Sequence, residues 1–220
     1  MHRQKNPPIA VERKDLWKAR QCWCLAICRH EKLSPLVSSL NFTNMILILY
    51  AHPYPQHSRA CKALLNAITD LPGLEVRSLY DLYPDFDIDV AAEQAALSRA
   101  DIVVWLHPIY WYSVPSMLKH WFDVVLLRGW AYGKGGNTLR DKCCLWVPTA
   151  GGDENSYSPD GMHGQPFENF IPPIEQTARF CGMNWQAPFV TYGAHEVSDA
   201  AIALAAKNFR VRLMAFCVKP

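Results

Sequence analysis

From Met45 onward, short runs of apolar residues alternate with longer amphipathic segments. Continuous apolar runs of strand length are typical of strands that are covered on both faces. They predict five strands, at residues 45–50, 74–79, 101–106, 142–147 and 184–192. The intervening segments predict helices at residues 58–67, 89–99, 113–127, 167–180 and 198–216, the fourth disturbed by Pro172 and Pro173. Asp89, Ser113 and Ser198 are the expected capping residues.

Strands that alternate with helices predict an α/β fold, a doubly wound parallel sheet with helices on both faces. In such a sheet, ligands bind beyond the carboxyl ends of the strands, near the point where the strand order reverses. This rule selects the loops after the first, third and fourth strands as the candidate site.

Composition narrows the functional classes. Half of the 220 residues are hydrophobic and 19% are charged, which fits one globular domain with a substantial core. The longest apolar runs are far too short to span a membrane. The net charge of +2 is uneven, because residues 1–44 carry +5 and the rest carry −3. A mildly acidic body without a basic stripe argues against a nucleic-acid partner.

Residues 1–44 form an N-terminal extension to a domain at residues 45–220. A functional basic tail and a start-site artefact, with translation beginning at Met45, both explain it, and we favour the second. The eight cysteines show no disulfide-framework spacing, which indicates a reducing cytoplasm. Cys22, Cys24, Cys28 and His30 do not match a common zinc spacing, so we predict no metal site.

The loop after the first strand carries His52, His57 and Ser58 just before a predicted helix. Free amides and the positive end of a helix dipole favour an anion there. A phosphate would bind Ser58, one of the histidines and the amides of residues 59–61. The alternative is that Ser58 only caps the helix and His52 only shapes a turn.

The loop after the third strand places Tyr110, Trp111 and Tyr112 in a row between Pro108 and Pro115. Exposed aromatic rings at a strand end are explained by a flat heterocycle that stacks on them. A hydrophobic contact with a partner subunit is the alternative, and both can hold together.

The loop after the fourth strand contains Gly151 and Gly152, where the main chain can approach a ligand closely. Tyr157 and His163 follow and form a candidate pair for proton transfer. Isolated Tyr and His residues in loops are usually structural, so the pair by itself is weak evidence.

Seven motifs resemble the NAD(P)H:quinone oxidoreductase family, whose best-known member is DT-diaphorase. They are LYAHP (49–53), DLYPDFDID (81–89), AEQAALSRAD (92–101), HPIYWYSVP (107–115), LKHWFD (118–123), GWAYG (129–133) and CGMNW (181–185). The resemblance covers about four-fifths of the chain and is strongest to the KefF and KefG ancillary subunits of glutathione-gated potassium efflux. It implies a flavodoxin-like homodimer with strand order 2-1-3-4-5 and a flavin at the subunit boundary.

The resemblance also implies roles for individual residues. His52, Ser58, Arg59, Ala60 and Cys61 would form the flavin phosphate site, the last three through their amides. Pro108, Ile109, Tyr110, Trp111 and Tyr112 would line the isoalloxazine ring, and Thr149, Ala150, Gly151 and Gly152 would contact its polar edge. Tyr157 and His163 match the family's catalytic proton relay. Tyr132 would cover the acceptor pocket across the dimer, and Trp111 would also contact the substrate.

Four departures from the Kef-type pattern qualify these roles. Cys61 replaces an Asn in the phosphate loop, and Tyr110 replaces a Gln. Pro148 has no backbone N–H, so it cannot donate to the flavin. The Tyr157–His163 pair is a feature of the quinone reductases and is absent from the Kef-type subunits.

These features favour a flavin-dependent NAD(P)H:quinone oxidoreductase that transfers two electrons by a ping-pong mechanism. FMN is the expected cofactor, with FAD as the alternative, NAD(P)H as the donor and a quinone-like molecule as the acceptor. The competing interpretation is a regulatory subunit of a Kef-type potassium antiporter, held at the inner membrane through the acidic residues 85–89. A metal hydrolase is disfavoured, because the histidines lie on separate loops.

Overall fold

The computed structural model describes residues 44–217, and of these the residues up to Arg210 belong to one compact unit. The proposed N-terminal extension and the Cys22–His30 cluster lie outside the described residues. The five strands are β1 (Ile46–Tyr50), β2 (Leu74–Ser78), β3 (Ile102–Pro108), β4 (Cys143–Thr149) and β5 (Asn184–Gln186). All pairs are parallel and the order is β2-β1-β3-β4-β5, which confirms the predicted fold.

Within residues 44–217, six α-helices connect and follow these strands. They are α1 (Ala60–Asn66), α2 (Leu79–Leu82), α3 (Val90–Arg99), α4 (Ser116–Val125), α5 (Pro172–Phe180) and α6 (Asp199–Cys217). Two 3-10 helices, Pro55–His57 and Phe167–Phe170, lie in loops. No helix among the described residues is long and apolar enough to cross a bilayer.

Alternate residues of each central strand pack into separate layers of core. Leu47 and Leu49 of β1 face the same cluster as Trp121 of α4 and Ala178 of α5. The strand residues between them, such as Ile48, are buried as well. The connection from β1 to β2 runs one way along the sheet and the later connections run the other way. Because crossovers are right-handed, this reversal places helices on both faces.

Two of the expected caps are present. The Asp89 carboxylate accepts a hydrogen bond from the Ala92 amide at 2.9 Å, and the Ser198 hydroxyl accepts one from the Ala201 amide at 3.2 Å. Ser113 does not cap α4, because Pro115 occupies the N-cap position and Ser113 pairs with Tyr110 instead.

α2 was not predicted, and several element boundaries differ from the prediction; three of these differences have a clear local cause. α1 begins at Ala60 rather than Ser58, after the 3-10 turn at Pro55–His57. The predicted helix at 167–180 is divided into a 3-10 turn and α5, with Pro172 opening the second part. β5 ends at Gln186 because Pro188 cannot donate to the ladder, although the chain rejoins β4 through a Thr149–Thr191 bridge.

Candidate functional site

The carboxyl ends of β1, β3 and β4 lie side by side and bring their three loops to one edge of the sheet. Tyr50 pairs with Leu106, and Pro108 pairs with Thr149. The Ile109 amide donates to the Thr149 carbonyl oxygen at 2.8 Å, which joins the second loop to the third. This edge is where the strand order reverses, so it is the expected ligand position of a doubly wound sheet.

In the first loop, Ser58 is 5% exposed and its hydroxyl has no hydrogen-bond partner among the described residues. Arg59 occupies the N-cap position of α1 and makes no side-chain cap bond, so Ser58 is not the helix cap. His52 is half-buried, and its Nδ1 accepts from the Tyr54 amide at 3.1 Å. Burial lowers the pKa of His52, and the charges of His195 and Lys62 lower it further.

The side chains of Arg59 and Cys61 are engaged by other protein groups. The Arg59 guanidinium donates to the carbonyl oxygens of His195 and Val197 and to the Asp199 carboxylate. The Cys61 sulfur lies 3.5 Å from the Thr149 hydroxyl, and burial raises the pKa of this thiol. Only the backbone amides of residues 59–61 are therefore left for an anion, and Ala60 adds no polar side chain.

The second loop contains a two-residue turn in a strained conformation. Tyr110 and Ser113 exchange two backbone hydrogen bonds, of 3.1 and 3.0 Å. Trp111 and Tyr112 between them have φ angles of 47° and 61°. Both values lie in the left-handed region that glycine and asparagine normally occupy in such turns. The turn nevertheless carries two large aromatic residues, and Trp111 is 91% exposed.

The third loop places its two glycines against imidazole rings. A Cβ on Gly151 would lie 3.0 Å from His195, and one on Gly152 would lie 3.0 Å from His163. The amides of both glycines make no hydrogen bond within the described residues. Thr149 and Ala150 before them are buried.

The candidate proton-relay residues are close together. The rings of Tyr157 and His163 stack with centroids 4.2 Å apart, and the Tyr112 hydroxyl lies 3.5 Å from Nδ1 of His163. Tyr112 in turn stacks on Phe170 at 5.1 Å. Burial, and then Tyr112, raise the pKa of Tyr157. The pair is thus linked to the aromatic turn, a connection that sequence spacing did not indicate.

Tyr132 lies apart from this pair. Its ring packs on Phe180 at 4.9 Å, and both residues line a groove of about 340 Å³ between α4 and α5 that also includes Ser113. No contact joins Tyr132 to Tyr157 or His163 among the described residues. Its role across a dimer stays a prediction.

A family model described as a flavodoxin-like fold matches residues 44–213. The glutathione-regulated potassium-efflux system ancillary protein KefF of Citrobacter koseri is 49% identical over 172 residues, covering 78% of this chain and 97% of KefF. The chain belongs to the flavodoxin-like family that includes KefF.

Two solved structures support this membership. The general stress protein 14 of Treponema denticola, in complex with FMN, is 33% identical with a TM-score of 0.74, covering 78% of this chain and 98% of that one. A Klebsiella pneumoniae protein assigned as a quinone reductase is 25% identical with a TM-score of 0.68, covering 81% and 87%.

The described residues of this flavodoxin-like protein fit a flavin. The unpaired Ser58 hydroxyl suits a phosphate, the exposed ring of Trp111 suits a planar heterocycle, and the free amides of Gly151 and Gly152 suit a carbonyl edge. Within residues 44–217, no three His, Cys, Asp or Glu side chains gather closely enough to hold a metal ion.

Sequence reasoning missed a fourth loop in this flavodoxin-like sheet. Residues 191–198 follow β5, and Gly193 donates to the Gly152 carbonyl oxygen at 2.8 Å while Ala194 donates to that of Ala150 at 2.9 Å. Because the sequence predicts a strand at 184–192 and a helix from 198, only five residues separate them, and the pattern does not single out His195. The rule on strand ends would have found it had it been applied to the fifth strand as well.

Proposed function

We propose that the protein binds FMN and acts as an NAD(P)H:quinone oxidoreductase. The observation that carries the proposal is the strained turn at residues 110–113, which exposes aromatic rings beside free amides and a Tyr–His pair. Left-handed conformations of bulky residues are costly and cluster at binding sites, so this turn supports a binding role. The FMN complex of the Treponema relative supports FMN over FAD.

The residues that would hold the cofactor divide into three groups. Ser58, His52 and the amides of residues 59–61 would bind the phosphate. The segment from Pro108 to Tyr112 would lie along the ring, and the segment from Thr149 to Gly152 would bind its polar edge. A bound flavin supplies hydride acceptance from NAD(P)H and two-electron delivery to a quinone-like acceptor.

Tyr157 and His163 would handle protons beside that edge. The raised pKa of Tyr157 keeps its hydroxyl protonated at neutral pH, so it can donate a hydrogen bond. His163 has a buried Nε2 without a partner among the described residues, and Tyr112 lies at its Nδ1. His163 can therefore offer Nε2 to a group beside Gly152, while Tyr112 holds its Nδ1 and Tyr157 stacks on the imidazole.

Absorption spectroscopy tests the proposal directly. The purified protein, or the protein reconstituted with FMN, is expected to show the visible band of oxidised flavin. Anaerobic NADH or NADPH should bleach the band, and a quinone should restore it without a ternary complex, as a ping-pong mechanism requires. A protein that remains colourless after reconstitution with FMN and FAD would refute the assignment.

A second candidate function, a regulatory subunit of a potassium-efflux system, is supported by the name of the Citrobacter relative. Asp85, Asp87 and Asp89 are exposed between β2 and α3. Asp85 accepts from the Asp87 amide and Asp89 caps α3, so Asp87 is the carboxylate most available to a partner. Such a partner would place the protein at the inner surface of the membrane.

Co-purification with membranes that contain the transporter tests this role. Association should be lost in Asp87→Asn and retained in Asp123→Asn, which changes an exposed carboxylate on α4. Equal association of the two variants would argue against residues 85–89 as the contact. The oxidoreductase and the regulatory roles can coexist in one protein.

A further inference from the structure

Two imidazole rings lie against the same two-residue segment of backbone. His163 approaches Gly152 with Nε2 at 3.0 Å from the position of a Cβ, and His195 approaches Gly151 with Cδ2 at 3.0 Å and Nε2 at 3.3 Å. Consecutive Cα atoms are about 3.8 Å apart, so both rings border the same pair of free amides. Each glycine therefore leaves room for an imidazole ring. The sequence had suggested only that the glycines let the main chain approach a ligand.

The backbone that carries His195 is fixed to this segment. Gly193 and Ala194 donate to the carbonyl oxygens of Gly152 and Ala150, and the Ala150 amide donates to the Thr191 carbonyl oxygen at 2.8 Å. These bonds extend the pairing of β4 with the β5 side of the sheet beyond the strand ends. His195 directly follows Ala194, the last residue of this pairing, so the sheet fixes the position of His195 relative to Gly151.

Arg59 also holds this loop through its side chain. Its guanidinium reaches the carbonyl oxygens of His195 and Val197 at 3.1 and 3.2 Å and the Asp199 carboxylate at 2.7 Å. Asp199 is 94% exposed, so the ion pair itself adds little stability. The loop contains no helix or strand. Its path is therefore defined by the hydrogen bonds from Arg59 to two of its carbonyl oxygens.

We propose that His195 is a flavin-binding residue at the polar edge of the ring and that Arg59 is the residue that positions it. The inference rests on the proposed function. In it, Nε2 of His195 and the amides of Gly151 and Gly152 form one set of donors for the carbonyl oxygen of a planar heterocycle. In this proposal the side chain of Arg59 acts indirectly, by holding the loop that carries His195. Only the backbone amide of Arg59 would face the phosphate.

Binding of oxidised flavin, measured by fluorescence quenching without turnover, tests the role of His195. Loss of one hydrogen bond predicts that His195→Ala weakens FMN binding about five- to tenfold. Riboflavin, which has the same ring without the phosphate, should lose the same factor. A loss confined to FMN would assign His195 to the phosphate and overturn the proposal, and so would unchanged affinity for both.

A double-mutant cycle tests the positioning role of Arg59. Arg59→Gln, which keeps the backbone amide, should weaken riboflavin binding in the wild-type background and have no further effect in His195→Ala. Additive losses would show that Arg59 acts independently of His195. Arg210→Gln is the matched control, because Arg210 likewise donates to a carbonyl oxygen, that of Ala67, and to an aspartate, Asp70, away from the site.

The thermal unfolding midpoint of each flavin-free variant shows whether the fold is intact. His195 is exposed, so His195→Ala should unfold at the wild-type temperature. If the wild-type protein binds neither FMN nor riboflavin, the proposed function fails. If the wild type binds both and His195→Ala binds them equally well, only the present inference fails.

Discussion

At the scale of single residues, the site depends on which polar groups the fold leaves without partners. The hydroxyl of Ser58 and Nε2 of His163 are buried without hydrogen bonds among the described residues. Buried polar groups are normally satisfied, so unpaired ones beside a loop edge indicate a ligand. By contrast, the polar side chains of Arg59 and Cys61 are already engaged.

The Tyr157–His163 pair gives a kinetic prediction. Replacement of both by Tyr157→Phe and His163→Gln should lower kcat by about 10²-fold, the usual contribution of general acid–base groups. Stopped-flow measurement of flavin reduction by NAD(P)H is the appropriate readout. Tyr192→Phe, which removes a neighbouring hydroxyl of the same aromatic cluster, serves as the control. A double variant with wild-type turnover would remove the pair from the mechanism.

His107 gives a prediction on pH and stability. It is fully buried at the end of β3, where Nε2 accepts from the Trp146 indole at 2.7 Å and Nδ1 donates to the Pro108 carbonyl oxygen at 2.9 Å. Burial lowers its pKa to about 4. The folded state therefore favours the neutral ring, and stability from this group is present above about pH 6.5 and lost as the pH falls towards 4.

Below pH 4, protonation linked to His107 should lower the free energy of unfolding by about 3 kcal/mol. Urea unfolding of wild type and His107→Gln between pH 7 and pH 4 measures it, because Gln can accept from Trp146 and does not titrate. We expect the stability advantage of the wild type to shrink as the pH falls. A constant difference across this range would show that the ring does not titrate in the unfolding transition.

At the scale of secondary-structure elements, two features give predictions, a strained turn and a buried ion pair. One is the turn at residues 110–113, and the other is the contact between β2, α3 and α4. Sequence patterns predicted the strands and the helices other than α2, since apolar runs and helix caps are local signals. They did not predict the 3-10 turns or the left-handed aromatic residues, because these depend on the neighbouring loops.

The strained turn at residues 110–113 is expected to lower the stability of the fold while it supports flavin binding. Trp111→Gly removes an exposed side chain from a left-handed position and should raise the free energy of unfolding by about 1 kcal/mol. The same change should weaken flavin binding, because the ring surface is lost. Chemical denaturation and flavin titration measure the two effects. A less stable Trp111→Gly protein would contradict the assignment of strain to this turn.

The second element contact centres on Glu93, which is fully buried in α3. Its carboxylate accepts from Arg77 of β2 and from the Tyr83 hydroxyl, both at 2.6 Å, and from the Trp121 indole of α4 at 2.9 Å. Glu93→Ala should cost about 3–5 kcal/mol, because Arg77 then loses its buried counter-charge. Glu175→Ala, which breaks an exposed pair with Arg179, should cost less than about 1 kcal/mol.

At the scale of the whole molecule, four loops converge because parallel strands end at the same edge. Ligand binding at this edge must then stabilise the entire unit, since the loops follow strands of one sheet. At an FMN concentration of 100 times Kd, the free energy of unfolding should rise by about 2.7 kcal/mol. The unfolding temperature should rise by about 5–10 °C.

Differential scanning fluorimetry with increasing FMN measures this shift, and ATP is a control that offers phosphates without the flavin ring. A rise that continues with the logarithm of FMN concentration supports binding to the folded state alone. An unchanged unfolding temperature at saturating FMN would contradict a site built on the sheet.

The sequence by itself determined the strand pattern and the parallel sheet, and it selected three of the four loops of the proposed site. These follow from periodicity and the geometry of strand ends, which are local or topological rules, whereas the strand order 2-1-3-4-5 came from the family resemblance. Only the tertiary structure decided that Arg59 turns towards residues 195–199, that Tyr112 reaches His163 and that His195 lies on Gly151. Each of these contacts joins residues far apart in the chain, where packing and the competition for hydrogen-bond partners select one arrangement among many.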